Sequence, residues 1–311
     1  MEQAVKPKKF RSQRKAEITS LVIHYVLLTL LAIIWIIPIL WIILSSFRGN
    51  VGSVDSQYFP KTFGFENFRL LFTTPYYGVE PLFGVIPAFG RWIINTLIVS
   101  VLCCIISTFL VLSVAYCMSK LRFKFRKPFM NITMILGLFP GFLSMIAIYF
   151  LLKSIGLSGQ TGEKAWLNVV GLILSYSAGA GMGYQVSKGF FDVIPTALVE
   201  SAKLDGCSNF KIFKDIILPL SKPIIIYTVL TSFMGPWMDF IFAKVIIGTG
   251  APEMWTVSVG LYSLLFGAQS DASLFTQFAA GCVIIGIPIT TLFISLQKYY
   301  VEGVTAGAVK G

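Results

Sequence analysis

An all-α integral membrane protein crossing the bilayer six times is the fold class this sequence predicts, and three observations carry it. Hydrophobic residues make up 56% of the 311 residues and charged residues only 13%, about half the charged share of a soluble domain. Apolar runs long enough to cross roughly 30 Å of hydrocarbon recur along the chain. Between them, Lys and Arg gather in alternate connections, the pattern left when basic residues are kept on one side of a membrane. The formal charge of +11 therefore reports orientation, and the nucleic-acid reading that a basic chain invites falls away.

Residues 1–20 form a basic tail carrying Lys6, Lys8, Lys9, Arg11, Arg14 and Lys15. Residues 21–47 contain no Lys, Arg, Asp or Glu and make the first span. This run is too long for a signal-peptide core and lacks a small-residue cleavage site, so it is expected to stay as an anchor. His24 at its edge has no carboxylate or Cys beside it and receives no role. Residues 48–91 read as an external loop in which Phe65, Phe68 and Leu71 lie along one short helix.

The core is expected over residues 92–300. Span two covers 92–119 and is followed at once by KLRFKFRK, five basic residues in eight. Placed between two spans, this run is a topology signal against anionic lipid rather than a single-strand nucleic-acid platform. Span three covers 129–152, with a kink expected at Pro140 inside GLFPG. Span four covers 166–187 and ends in the small-residue run SYSAGAGMG, which suits close helix packing. Span five covers 224–248 and holds Asp239 and Lys244, the charged residues set deepest in an apolar run. Five residues separate them, about 140° around a helix, so they are not expected to pair. Residues 249–273 carry Glu253 and Asp271 without Lys or Arg and fit an external face. Span six covers 274–296 with a bend at Pro288, and residues 301–311 form a second tail. With both termini inside, 18 Lys and Arg fall on the cytoplasmic side and six on the outer side.

The polar connection 188–222 interrupts this pattern. Pro195 opens a short helix carrying Ala197, Leu198, Ala202 and Leu204, and Gly206 ends it, since a glycine takes the left-handed cap conformation at little cost. Ser208 or Asn209 can cap a second helix carrying Ile212, Phe213, Ile216 and Ile217, with Pro219 behind it. The result is a polar helical hairpin on the basic side. Its apolar residues pack either on the protein's own spans or on a partner, and from physics alone the two are equal.

No GxxxxGK[ST] phosphate loop occurs, and neither a Ser/His/Asp set nor a carboxylate pair in a polar region suggests catalysis. Five cysteines without a CxxC pair indicate neither a disulfide framework nor a metal site. A stand-alone secondary transporter would carry inverted repeats and several midplane ionisable residues, and only Asp239 and Lys244 qualify.

Glu200, Ser201 and Ala202, followed by Gly206 and then Ile217, Leu218 and Pro219, resemble the EAA coupling loop of ABC importer permeases, with Ser201 in place of the first alanine. GFFDVIP, FMGPWMDFIFA and the ending VEGVTAGAVKG extend the resemblance to MalG-like permeases of carbohydrate importers over essentially the whole chain. Where that family commonly has Trp-Asn-Glu-Phe, this chain has Trp237, Met238, Asp239 and Phe240.

The resemblance implies a type I importer permease fold. It further implies a heterodimer with a MalF-like permease, two cytoplasmic ATPase subunits binding ATP and Mg, and an external sugar-binding protein. The chain itself would bind no cofactor or metal and would not be an enzyme. Glu200, Ser201, Ala202, Leu204, Asp205, Gly206, Ile217, Leu218 and Pro219 would form the loop that engages the ATPase. The substrate implied is an oligosaccharide, maltose or maltodextrin first, with another sugar or a polyol as the alternative. Uncharged hydrogen-bonding side chains and aromatics suit such a ligand, which makes Asn95, Asn168, Tyr184, Gln185, Trp237 and Gln277 candidate path residues together with Asp239. Each is also an ordinary interhelical or interfacial contact.

Overall fold

The structure is a computed structural model and describes residues 9–52, 57–180, 183–267 and 271–305. Long apolar helices dominate it. Three of them are α1 (Lys9–Ser46), α3 (Ala88–Lys120) and α14 (Phe275–Thr305), and the short α2 (Glu66–Leu71) lies between the first two, where the sequence places a short helix. A fourth membrane-length stretch, 162–193, contains α6 (Trp166–Ala180) and α7 (Tyr184–Val193).

The remaining crossings are bent. Helices α4 (Arg126–Gly137) and α5 (Gly141–Ser154) meet at 101°, and 209–220 meets α11 (Lys222–Met238) at 87°. Counting each bent pair once, the described residues supply six apolar crossings by length and composition. The expected kink at Pro140 is thus a full corner. Pro140 cannot donate an N–H, its own φ of −58° and ψ of 122° are non-helical, and Gly141 restarts the helix.

Several boundaries differ from the sequence expectation. Helix α1 already begins at Lys9, inside the expected tail, because Lys, Arg, Gln, Ala and Glu are good helix formers and extending an existing helix costs no new nucleus. By the same logic α14 runs unbroken through Pro288 and on to Thr305, into the expected second tail; residues 306–311 lie outside the described residues. Span five is interrupted at Asp239 and Phe240 and resumes as α12 (Ile241–Ile247). The expected outer loop 249–273 holds α13 (Val257–Phe266), whose Val257, Val259, Leu261 and Leu264 are buried. Its uncharged run VSVGLYSLLF was the available signal, but ten residues are too few to cross a bilayer.

Two apolar cores organise the bundle. One joins the N-terminal half of α3 to the segment 71–79, α12 and α13, with Trp92 fully buried at its centre. The Trp92 indole N–H donates to the Pro252 carbonyl at 2.8 Å, and its ring lies 6.0 Å from that of Trp255. The other joins the C-terminal half of α3 to α7 and the hairpin 196–217. From Ile18 to Leu40 the surface of α1 is apolar and exposed, as a lipid-facing or subunit-facing helix requires.

Candidate coupling and path sites

The hairpin is built from two precise caps. Helix α8 (Thr196–Leu204) ends with Asp205, and Gly206 follows at φ +79°. The Cys207 N–H donates to the Ala202 carbonyl at 2.9 Å and the Gly206 N–H to the Lys203 carbonyl at 3.0 Å. These two bonds are the 6→1 and 5→2 pair of a Schellman motif, which satisfies the orphan carbonyls and fixes the exit direction of the chain. Ser208 then caps the next helix, its hydroxyl accepting from the Lys211 N–H at 3.3 Å. A left-handed glycine and a serine N-cap two residues apart thus produce the sharp reversal.

The second arm is α9 (Asn209–Ile212), a π-helical turn at Phe213–Ile217, and α10 (Leu218–Leu220). The π turn decides which face is buried. In a regular α-helix Ile212 and Ile217 would point about 140° apart, whereas i→i+5 geometry brings them into line. Both are fully buried. Tyr116 of α3 anchors this arm, its hydroxyl donating to the Asn209 carbonyl at 3.0 Å and its ring lying 4.8 Å from Phe213. On the same end, Lys120 donates to the Ile194 carbonyl at 2.6 Å, while Asp192 accepts from Ser119 at 2.7 Å and from Lys188 at 2.6 Å. The hairpin is therefore clamped to α3 and α7.

This placement corrects part of the expected loop surface. Ile217 is buried and Leu218 half-buried, so they hold the hairpin to the spans and do not present it; Ala202 is buried likewise. Glu200, Ser201, Leu204, Asp205, Gly206 and Pro219 are exposed. The most exposed apolar residues of the hairpin are Leu204, 89% exposed, and Phe210, 72% exposed, on either side of the Gly206 turn. Phe210 was missed in the sequence because periodicity groups it with neither arm.

The candidate path residues do not converge. Asn168 is fully buried, bonded to both the N–H and the carbonyl of Gln160, and pins the 155–161 loop. Asn95 donates to the Glu253 and Trp255 carbonyls at 2.9 and 3.1 Å. Gln277 accepts from Tyr76, whose phenol is pushed up to about 12 by burial and so remains a donor at neutral pH. Tyr184 is buried against Thr133 at 3.0 Å in the hairpin core. The polar groups of these four are engaged by neighbouring elements, which gives each of them a structural contact. Gln185 is exposed, and Trp237 lines an apolar groove with its indole N–H unpaired.

Asp239 and Lys244 are accounted for separately and do not pair. The Asp239 carboxylate accepts from Tyr176 and from the N–H groups of Phe242 at 3.3 Å and Ala243 at 3.1 Å, at the start of α12. A carboxylate at a helix N-terminus satisfies orphan donors and opposes the dipole. The Lys244 ammonium lies 4.2 Å from the Tyr262 ring centre, a cation–π contact. Asp239→Ala is therefore expected to lower the stability of the purified protein by about 1 kcal/mol, and Asp239→Asn by less, because it keeps one acceptor. Thermal unfolding in detergent reads this, and equal melting of the two variants would count against the capping role.

A cavity of about 320 Å³ opens elsewhere, between α3, α6, α7 and α11. Hydroxyls of Ser107, Tyr176, Ser187, Thr228, Thr231 and Ser232 line it, with Ser187 and Thr228 3.4 Å apart. Sequence reasoning missed most of these, although Thr228, Thr231 and Ser232 recur at helical spacing on α11.

Comparison with known proteins fixes what this arrangement belongs to. Residues 107–305, which include the whole hairpin, α7 and the C-terminal part of α3, match the family described as "Binding-protein-dependent transport system inner membrane component". The chain belongs to that family. This transport component is 36% identical to the galactooligosaccharides transport system permease protein GanQ of Bacillus subtilis, across 94% of this chain and 96% of the relative. It is 32% identical to the maltodextrin transport system permease protein MalD of Streptococcus pneumoniae, across 92% and 94%. Its fold is similar to that in a crystal structure of a bacterial ABC transporter involved in the import of the acidic polysaccharide alginate, with a TM-score of 0.73. That likeness covers 95% of this chain and all of the other, at 20% identity. The transport component is thus a multi-pass inner-membrane subunit and not an enzyme. It works within an assembly that contains another permease, ATPases and a binding protein.

Proposed function

We propose that this chain is one of two membrane subunits of an ATP-driven oligosaccharide importer, with its basic end and both termini in the cytoplasm. Its partners are a MalF-like permease, two ATPase subunits holding ATP and Mg, and an external sugar-binding protein. The observation that carries the reading is the hairpin: one face locked onto α3 and α7, the other presenting Leu204, Phe210 and Glu200 outward. A piece rigidly joined to the spans and exposed on its far side can pass motion in either direction. Closure of the ATPase pair would push on α8, and the bundle would swing between two rigid-body arrangements. The hydroxyl-lined cavity supports a neutral, hydroxyl-rich cargo, since such walls exchange hydrogen bonds without burying charge.

Maltose or maltodextrin is the first substrate reading, supported by the relatives named for maltodextrin. Galactooligosaccharide is the second, favoured by the relative that is 36% identical. The assembly, reconstituted in liposomes with its binding protein, is expected to hydrolyse ATP faster when one of these sugars is added and to accumulate that sugar. Stimulation by galactooligosaccharide alone would reverse the order of the two readings. Uptake driven by a proton gradient without ATP would sink the importer reading.

A further inference from the structure

A cavity of about 770 Å³ lies beside the hairpin, between the α3–α4 turn and the start of α8. Lys120, Arg122, Arg126 and Lys203 line it, against Glu200 as the one carboxylate in its wall. Among the described residues, the guanidinium groups of Arg122 and Arg126 and the ammonium of Lys203 have no hydrogen-bonded or ionic partner. Arg126 is half-buried, and a cation withdrawn from water calls for an anion. Two helix starts add to the same field. Neither α4, which begins at Arg126, nor α8, which begins at Thr196, has a side-chain cap or an acidic residue in its first turn, and both first residues line the cavity.

From this convergence we infer that the cavity binds the phosphate of an acidic phospholipid headgroup, which thereby becomes part of the joint between α3, α4 and the hairpin. Position selects lipid over a soluble phosphate. The cavity lies where the apolar helix α3 ends and α4 begins, and Phe123 in its wall, with Phe125 and Phe129 close to it in sequence, is exposed, as contact with an acyl chain requires. The volume also exceeds what a single inorganic phosphate fills. Basic pockets at the membrane end of helices are the expected recognition mode for such headgroups. The inference does not depend on which sugar is carried.

The test uses the whole assembly in nanodiscs of phosphatidylcholine mixed with phosphatidylglycerol, transferred to detergent, with co-purifying lipid measured by mass spectrometry. Wild type is expected to retain phosphatidylglycerol selectively. Arg122→Gln with Arg126→Gln should lower that retention roughly tenfold or more, as loss of two cations at an acidic surface implies. Lys124→Gln with Lys127→Gln removes equal charge just outside the cavity and should leave retention within about twofold. Lys203→Gln, from a different element, should give a smaller loss in the same direction and guards against misassembly of the double variant. Equal loss from both double variants would reduce the site to diffuse surface attraction and overturn the proposal. So would displacement of the retained lipid by inorganic phosphate, which would identify a soluble-anion site.

Discussion

Replacing Gly206 with valine is expected to cut sugar-stimulated ATP hydrolysis by the assembled transporter roughly tenfold while leaving the chain inserted in the membrane. Gly206 sits at φ +79°, and a side chain built there meets nothing within 4 Å. The cost is thus one of backbone conformation alone. A residue with a Cβ pays about 1–2 kcal/mol to enter the left-handed region, and a β-branched residue more. Relief of that strain would open the bonds from Cys207 to Ala202 and from Gly206 to Lys203 and would let Leu204 and Phe210 change their relative placement. Gly206→Asn serves as the control, because asparagine enters the left-handed region readily. Near-normal coupling in the asparagine variant and loss in the valine variant is the expected pair. Identical behaviour of the two would remove the turn from the mechanism.

Gly171→Val is expected to abolish recovery of folded protein altogether. A Cβ at Gly171 would sit 2.1 Å from the carbonyl oxygen of Leu157, a backbone atom that cannot swing aside. The neighbouring loop is held to the same helix by Asn168 and to α12 by Ser158, which donates to the Ile246 carbonyl at 2.8 Å. Overpacking of this kind costs about 1–3 kcal/mol where side chains can move, and here backbone must move. Fluorescence-detected size exclusion of the tagged protein reads the outcome. A monodisperse peak of wild-type height for Gly171→Val would show that α6 and the 155–161 loop part more easily than their contacts indicate. Glycines with open surroundings, such as Gly179 and Gly235, should tolerate alanine, which separates steric from general helix effects.

The broad class of the fold was legible because it rests on local signals. Span positions follow from apolar length, and the hairpin follows from Pro195, Gly206 and Ser208, each acting through its own backbone chemistry within a few residues. The half of the loop that faces outward was not legible. Ile212, Ile217 and Phe210 are all apolar, and only the π turn and the ring of Tyr116 decide which of them are covered. The path candidates do not converge, for a related reason. Asn95, Asn168 and Gln277 were chosen as polar groups in apolar helices, but their partners lie 158, 8 and 201 residues away, and the two longer separations leave no trace in spacing. The hydroxyls of Thr228, Thr231 and Ser232 looked like ordinary helix residues until α3, α6 and α7 were set around them.

The sequence by itself determined that this chain lives in a bilayer, which stretches are long and apolar enough to cross it and where its polar hairpin turns, because hydrophobic length, proline and a left-handed glycine act within the reach of one or two turns. Only the tertiary structure decided that Asp239 caps a broken helix, that Pro140 turns a corner of 101°, and which face of the hairpin is free. Those outcomes depend on which distant groups satisfy each buried donor and acceptor, and that pairing exists only once the helices have packed.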